Sequence, residues 1–188
     1  MNCGHRIIKT IKWIVISVAL LSVLFAGGCW LLLELTSPSH DSDDALLHNF
    51  ANNRAIFEGI VAKVQDDGDI IRIGKNWYKL ADWIARSDNP DRIVQYRKLF
   101  KEISIDSGIH VTYSSAGKAR VLFYSSWTGF LSPGSCKGYA YEPYPIDAAI
   151  LVDSIDGYKP KANRSSFWRI YRGIKEENNW YLYYESDE

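Results

Sequence analysis

Hydrophobic positions follow three different rules along this chain. From Trp13 to Leu33 they dominate a run that no charge interrupts. A helix rises about 1.5 Å per residue and the hydrocarbon core of a bilayer is roughly 30 Å thick, so the pattern predicts a transmembrane anchor over residues 13–35. From residue 43 the apolar residues recur at helical spacing. Leu46, Phe50, Phe57, Ile60, Val61 and Val64 make one stripe, which predicts a helix over residues 43–66. Ser42 is placed to cap it, Asp43 and Asp44 suit the positive end of the helix dipole, and Gly68 supplies a left-handed C-terminal position.

A strand over 69–73, a turn at Gly74-Lys75-Asn76 and a partner strand over 77–80 come next. Asn89-Pro90 then marks a second helix start, with Ile93, Val94, Phe100 and Ile103 as its expected buried face. Beyond Gly108 the period changes to two. Strands are predicted over 109–113, 119–125 and 136–141, followed by a terminal hairpin of 166–173 and 179–185. Helices first and strands afterwards predict an α+β fold: an N-terminal transmembrane helix, then one domain of two helices packed on an antiparallel sheet. The chain thus divides into a basic tail (1–12), the anchor (13–35), a polar linker (36–42) and an exported domain (43–188).

Charge gives the anchor a direction. Arg6, Lys9 and Lys12 precede the apolar run, whereas Glu34, Asp41, Asp43 and Asp44 follow it. Basic residues beside a first membrane helix stay in the cytoplasm, so the N-terminus is expected inside and the domain outside the inner membrane, on the periplasmic side. The same stretch supports a second reading. Its basic start, apolar core and Ala26-Gly27-Gly28-Cys29 resemble a bacterial lipoprotein signal peptide, which makes Cys29 the candidate lipidation site. Ala26 stands where such sites usually carry Leu, and Trp30-Leu31-Leu32-Leu33 continues the apolar run. Either reading exports the same domain.

With 22 basic and 22 acidic residues overall, three basic ones in the tail, the exported part is close to neutral and slightly acidic. That balance, outside the cytoplasm, argues against nucleic acid as a partner. Cys3, Cys29 and Cys136 leave one cysteine in the domain, so no disulfide is expected there, and Cys136 reads as a small buried hydrophobe.

Conventional chemistry is sparse. His5, His40, His48 and His110 have no ligand spacing, and Asp66-Asp67-Gly68-Asp69 lacks the ligand series of a calcium loop. Asp147, Asp153 and Asp156 read as turn residues. Gly134-Ser135-Cys136-Lys137-Gly138 places Cys where a nucleophile elbow needs Ser, and a strand where it needs a helix. No cofactor, metal or catalytic set is expected.

The aromatic content is more telling. In the terminal hairpin, Phe167, Arg169 and Tyr171 alternate with Trp168, Ile170 and Arg172, and Trp180, Leu182 and Tyr184 alternate with Tyr181 and Tyr183. One set must pack on the helices; the register alone does not say which. Aromatic and Arg side chains dominate binding hot spots, so Arg169, Arg172, Tyr181 and Tyr183 are the expected contact residues, with Trp127 and Phe130 from the loop at 125–138.

Lys137-Gly-Tyr-Ala-Tyr141, Leu151-Val-Asp-Ser154, Trp168-Arg-Ile-Tyr-Arg172 and Asn179-Trp-Tyr-Leu-Tyr-Tyr184 resemble segments of small membrane-anchored bacterial envelope proteins. The resemblance implies a Gram-negative envelope and carries over no functional residues. The expected role is a non-enzymatic protein that binds a protein partner, for example one of the toxin-immunity type. A binding module for cell-wall glycan or a small ligand is the alternative, and a hydrolase with a concealed site the third reading.

The topology is directly testable. A reporter that folds only outside the cytoplasm, fused after Ser42, is expected to be active; activity of a cytoplasm-only reporter there overturns the orientation. Palmitate labelling that disappears in Cys29→Ala identifies a lipoprotein, and unchanged absence of label identifies a spanning helix.

Overall fold

The computed structural model describes residues 40–81, 90–105, 107–128, 134–158, 167–175 and 177–187, together with 20, 22–25 and 27. The chain divides into two compact units, Met1–Pro38 and Ser39–Glu188. In the first, the described residues are helical, and Leu20, Val23, Leu24 and Phe25 turn their side chains outward. Among the described residues no helix is long and apolar enough to cross a membrane. Most of the anchor expected over 13–35, Cys29 included, lies outside them.

The second unit is α+β. Helix α1 (Asp43–Asp67) precedes strands β1 (Ile70–Ile73) and β2 (Tyr78–Leu80), and helix α2 (Pro90–Glu102) follows. Strands β3 (Ile109–Tyr113), β4 (Ala119–Thr128), β5 (Ser135–Tyr141), β6 (Trp168–Gly173) and β7 (Trp180–Ser186) complete a seven-stranded sheet in the order β2-β1-β3-β4-β5-β7-β6. Every ladder in it is antiparallel. Among the described residues between β5 and β6 there is a 3-10 turn, Ala148–Ile150.

Helix α1 is built as its sequence dictates. The Ser42 side chain accepts from the Ala45 N–H at 3.2 Å, and Gly68 closes the helix in the left-handed region at φ 67°. All six residues of the expected stripe are buried. Their rings meet those of the sheet: Phe57 lies 4.7 Å from Tyr139 and 5.3 Å from Phe123, and Phe50 lies 5.0 Å from Trp180. The helix bends at Asn53, whose φ is −121°. There Asn53 Nδ2 donates to the Asn49 carbonyl at 3.1 Å, while Asn49 Nδ2 donates to the Ile103 carbonyl at 2.9 Å, so side-chain amides accompany the interruption of the backbone ladder.

In α2, Ile93, Tyr96 and Phe100 form the buried face, and Ile103 is buried just past its end. Val94 was expected among them and is instead 60% exposed. One helical step turns it about 100° from Ile93, away from the line through Tyr96 and Phe100. The expected cap Asn89 lies outside the described residues. Arg92 fastens the helix to the sheet through two 2.9 Å hydrogen bonds to the buried Asp69, and the Tyr96 hydroxyl donates to Asp67 at 2.6 Å.

Strand β4 runs three residues beyond its expected end. A bulge between Tyr124 and Ser126 absorbs Ser125, and pairing resumes through Thr128 opposite Ser135. Gly138 is required here, because a Cβ on it would stand 1.9 Å from the Phe123 carbonyl oxygen. The loop expected over 125–138 therefore contracts to 129–134, of which 129–133 lie outside the described residues.

The register of the terminal hairpin is now decided. Trp168, Ile170, Arg172, Trp180, Leu182 and Tyr184 face the helices, and Arg169, Tyr171, Tyr181 and Tyr183 face away. Trp180 contacts Phe50, Phe57, Phe123 and Tyr141. Trp180→Ala is expected to cost about 3–5 kcal/mol in equilibrium unfolding. A loss below about 1 kcal/mol would place that ring outside the core.

Candidate functional site

The face of the sheet turned away from the helices carries a continuous chain of aromatic rings and guanidinium groups. Period-two alternation places Arg72, His110, Leu122, Tyr124, Cys136, Tyr183, Tyr171, Arg169 and Glu185 there, strand by strand. The bulge at Ser125 returns Trp127 to the same side as Tyr124, opposite Cys136. The Arg72 guanidinium lies between the Trp77 ring at 5.0 Å and the Tyr124 ring at 5.5 Å. Tyr124 meets Trp127 edge-on at 5.9 Å and Tyr183 at 6.3 Å. Gly138 stands between Tyr124 and Tyr183 in the ladder, so the two rings close over a position without a side chain. Arg169 continues the chain, 6.0 Å from the Tyr183 ring and 5.6 Å from Phe167. Its two ends, Trp77 and Phe167, are 48% and 50% exposed, and Trp127, which branches from Tyr124, is 46% exposed.

A polar network holds these groups in place. Arg169 Nε donates to Glu185 Oε2 at 2.7 Å, and Cys136 Sγ donates to Glu185 Oε1 at 3.1 Å. The Tyr171 hydroxyl donates to Glu142 at 2.9 Å and accepts from Arg120. Burial, reinforced by the Glu185 charge, pushes the Cys136 thiol far above its ordinary pKa, so it stays protonated and weakly nucleophilic. Burial likewise raises Tyr124 to about 12. His110 is lowered, first by burial and then by Arg72 and Arg169, and is neutral at pH 7. The face therefore offers fixed cations, hydroxyls and rings.

On the helix side, the same strands hold a second cluster. Lys137, 1% exposed, places its ammonium 2.8 Å from Asp43 Oδ1 and 2.7 Å from the Asp41 carbonyl, and pairs with Asp156. Asp43 Oδ2 accepts from the Ile155 N–H at 2.8 Å and from Arg172 Nη1 at 2.8 Å. Burial raises the Asp43 pKa, but the hydrogen bonds from Lys137 and the Ile155 N–H outweigh it, and the carboxyl ends below its ordinary value. His40 bridges the ends of β4 and β5, with Nδ1 2.7 Å from Ser126 Oγ and Nε2 2.8 Å from Ser135 Oγ. Burial, then the Lys137 charge, lowers its pKa and keeps it neutral. Beside them is a cavity of about 280 Å³ walled by Tyr158, Trp168, Ile170 and Tyr184.

Of the residues expected to make contacts, Trp127, Arg169, Tyr181 and Tyr183 come together on the open face. Tyr183 is 0% exposed, covered by its neighbours, and supports the surface without supplying area to it. Tyr181 is half-buried, edge-on to Tyr171 at 6.0 Å. Arg172 turns to the opposite face and belongs to the Asp43 cluster. Phe130 and Cys29 lie outside the described residues. Sequence reasoning missed Trp77 and Arg72, which only the pairing of β1 with β3 brings beside Tyr124. It also missed the burial of Lys137 and the docking of His40, placed by sequence in a free linker. A lysine flanked by strand residues was the available signal for the first. Among the described residues, no three of His, Cys, Asp or Glu are grouped to hold a metal ion. The chain matches no protein-family model, no curated protein and no solved structure.

Because the Asp43 pKa is lowered on folding, its stabilisation is fully present above the ordinary carboxylate pKa and is lost as pH falls through the folded value. The unfolding free-energy difference between wild type and Asp43→Asn is expected to shrink between about pH 5 and pH 3. A difference independent of pH contradicts the pairing. Lys137→Met, which takes the ammonium from the buried Asp43 carboxylate, is expected to cost about 3–5 kcal/mol at neutral pH.

Proposed function

We propose that this protein is a membrane-anchored envelope protein that captures a protein partner through the open face of its sheet. The supporting observation is the Trp77–Arg72–Tyr124–Trp127 chain, with exposed tryptophans at both of its ends. Trp, Tyr and Arg are the side chains that dominate interface energetics, and here their conformations are already restrained by stacking, which lowers the ordering cost of binding. Immobilised rings of this kind serve recognition well. The inner-membrane location, the N-in orientation and a role of the toxin-immunity type are part of this reading, and they rest on the apolar run and the basic tail.

The cavity beside His40 supports a second reading, a small-ligand or glycan site. Its aromatic walls, with Trp168 5.2 Å from Tyr184 and 5.7 Å from Tyr158, are of the kind on which sugar rings stack.

Crosslinking and affinity capture of the full chain from envelope membranes, followed by mass spectrometry, identifies the partner. Trp77→Ala and Trp127→Ala are then each expected to weaken its binding by about 2 kcal/mol, roughly 30-fold, with little change in melting temperature. Undiminished capture by both variants removes the open face from the interaction. Quenching of tryptophan fluorescence by cell-wall fragments, lost in Trp168→Ala and retained in Trp127→Ala, supports the cavity instead.

A further inference from the structure

One surface of the domain is used by neither reading. Between the C-terminal half of α2 and the β1–β2 turn lies a groove of about 500 Å³, with Val94, Phe100 and Ile105 among its apolar lining and Lys75, Lys98 and Lys101 around it. None of its lining residues is acidic. Arg97, also in the lining, spends its guanidinium on the carbonyls of Gly74 at 3.0 Å and Trp77 at 3.2 Å, which joins the helix to the turn. The three lysines are exposed, and so is Val94, on the helix face left over when Ile93, Tyr96 and Phe100 are buried.

The position of this groove matters as much as its charge. Strand β1 runs toward Ile73, which pairs with Ile109 and through it with Phe123; β4 continues in the same direction to Ser126. The β1–β2 turn and the Ser126–Ser135 end of the sheet therefore lie at one end of the domain. His40, the first described residue of the domain, is bound at that end, to Ser126 and Ser135. β1 and β4 are two strands apart, about 10 Å. Residues 36–39 between the apolar run and His40 span at most about 14 Å. The basic groove and His40 are thus at the same end of the domain.

We propose that this groove rests on the anionic headgroup layer of the membrane to which the chain is tethered, with Lys75, Lys98 and Lys101 on phospholipid phosphates and Val94 at the edge of the acyl region. The inference rests on the anchor reading above. An exposed apolar side chain ringed by lysines has the composition of an interfacial surface, and tethering brings the bilayer within reach without a separate association step. The contact fixes the height and tilt of the domain, so that the open face of the sheet stands across the membrane surface. An acidic peptide would meet the same charges, but nothing in the chain holds one nearby.

The full chain, reconstituted in phosphatidylcholine vesicles with or without phosphatidylglycerol, is treated with a membrane-impermeant lysine-acetylating reagent and mapped by mass spectrometry. Acetylation of Lys75, Lys98 and Lys101 is expected to slow several-fold when phosphatidylglycerol is present and to recover in high salt. Lys118, in the β3–β4 turn at the opposite end, is the internal control and should not change. Equal reactivity of the three lysines in both vesicle types, in a chain that resists alkaline carbonate extraction, overturns the headgroup contact while leaving the anchor in place. Extraction by carbonate overturns the anchor, and the proposal with it.

Discussion

A single buried ammonium organises one end of this domain. Lys137 sits in the middle of β5, on the side of the sheet that packs against the helices, where an unpaired charge could not be accommodated. Its partners come from four places: the Asp41 carbonyl before α1, Asp43 in the first turn of α1, Asp156 in the segment between β5 and β6, and, through Asp43, Arg172 of β6. Desolvation makes the Lys137–Asp43 contact obligatory, because removing either partner strands a buried charge, whereas Asp156 keeps contact with water. The cost of burying the lysine is thereby turned into specificity. Helix α1 can start only where Asp43 reaches both Lys137 and the Ile155 N–H.

That constraint also explains where the chain enters. Asp41 and His40 are drawn onto the end of the sheet, His40 by two serine hydroxyls and by an edge-on contact with Tyr184 at 5.3 Å. The polar segment before α1 is therefore fastened to β4 and β5 at its last residues. The basic groove at the β1–β2 turn and the exposed rings of Trp77, Trp127 and Phe167 share that end.

The two faces of the sheet solve different problems with similar residues. Facing the helices, Phe123, Tyr139, Trp180 and Leu182 fill a core with Phe50 and Phe57 of α1. Facing away, Ile146 and Ile150 of the segment around the 3-10 turn pack against part of the cluster, and Arg72 and Arg169 lie over its rings. Guanidinium groups stack on aromatic faces while keeping their edges hydrated or paired, so they can roof an open sheet where an aliphatic layer would expose a large apolar patch. Cys136 is held in this network as a protonated donor to Glu185, its chemistry suppressed by the burial that places it there.

Much of this architecture was written in local pattern. The stripe Leu46–Val64, the Ser42 cap, the Gly68 terminus, the start of α2 at Pro90 and strand β3 depend on spacing and on caps within a few residues, and they stand where the pattern puts them, whereas β4 is extended by its bulge. What local pattern left open was decided by contacts between distant segments. Alternation showed that Trp180 and Tyr183 face opposite ways; only packing against Phe50 and Phe57 put Trp180 inside. Val94 looked as apolar as Ile93, and helix phase relative to the sheet turned it out. Arg172 and Arg169 looked alike until Asp43, remote in sequence, claimed one of them. The site was the least legible for the same reason. Arg72 and Trp77 lie far in the chain from Tyr124 and Trp127, and strand pairing plus one bulge brings the two pairs side by side. Periodicity is a property of a segment and can be read from it, whereas the identity of a neighbour across the sheet is set by the free energy of the whole packed domain.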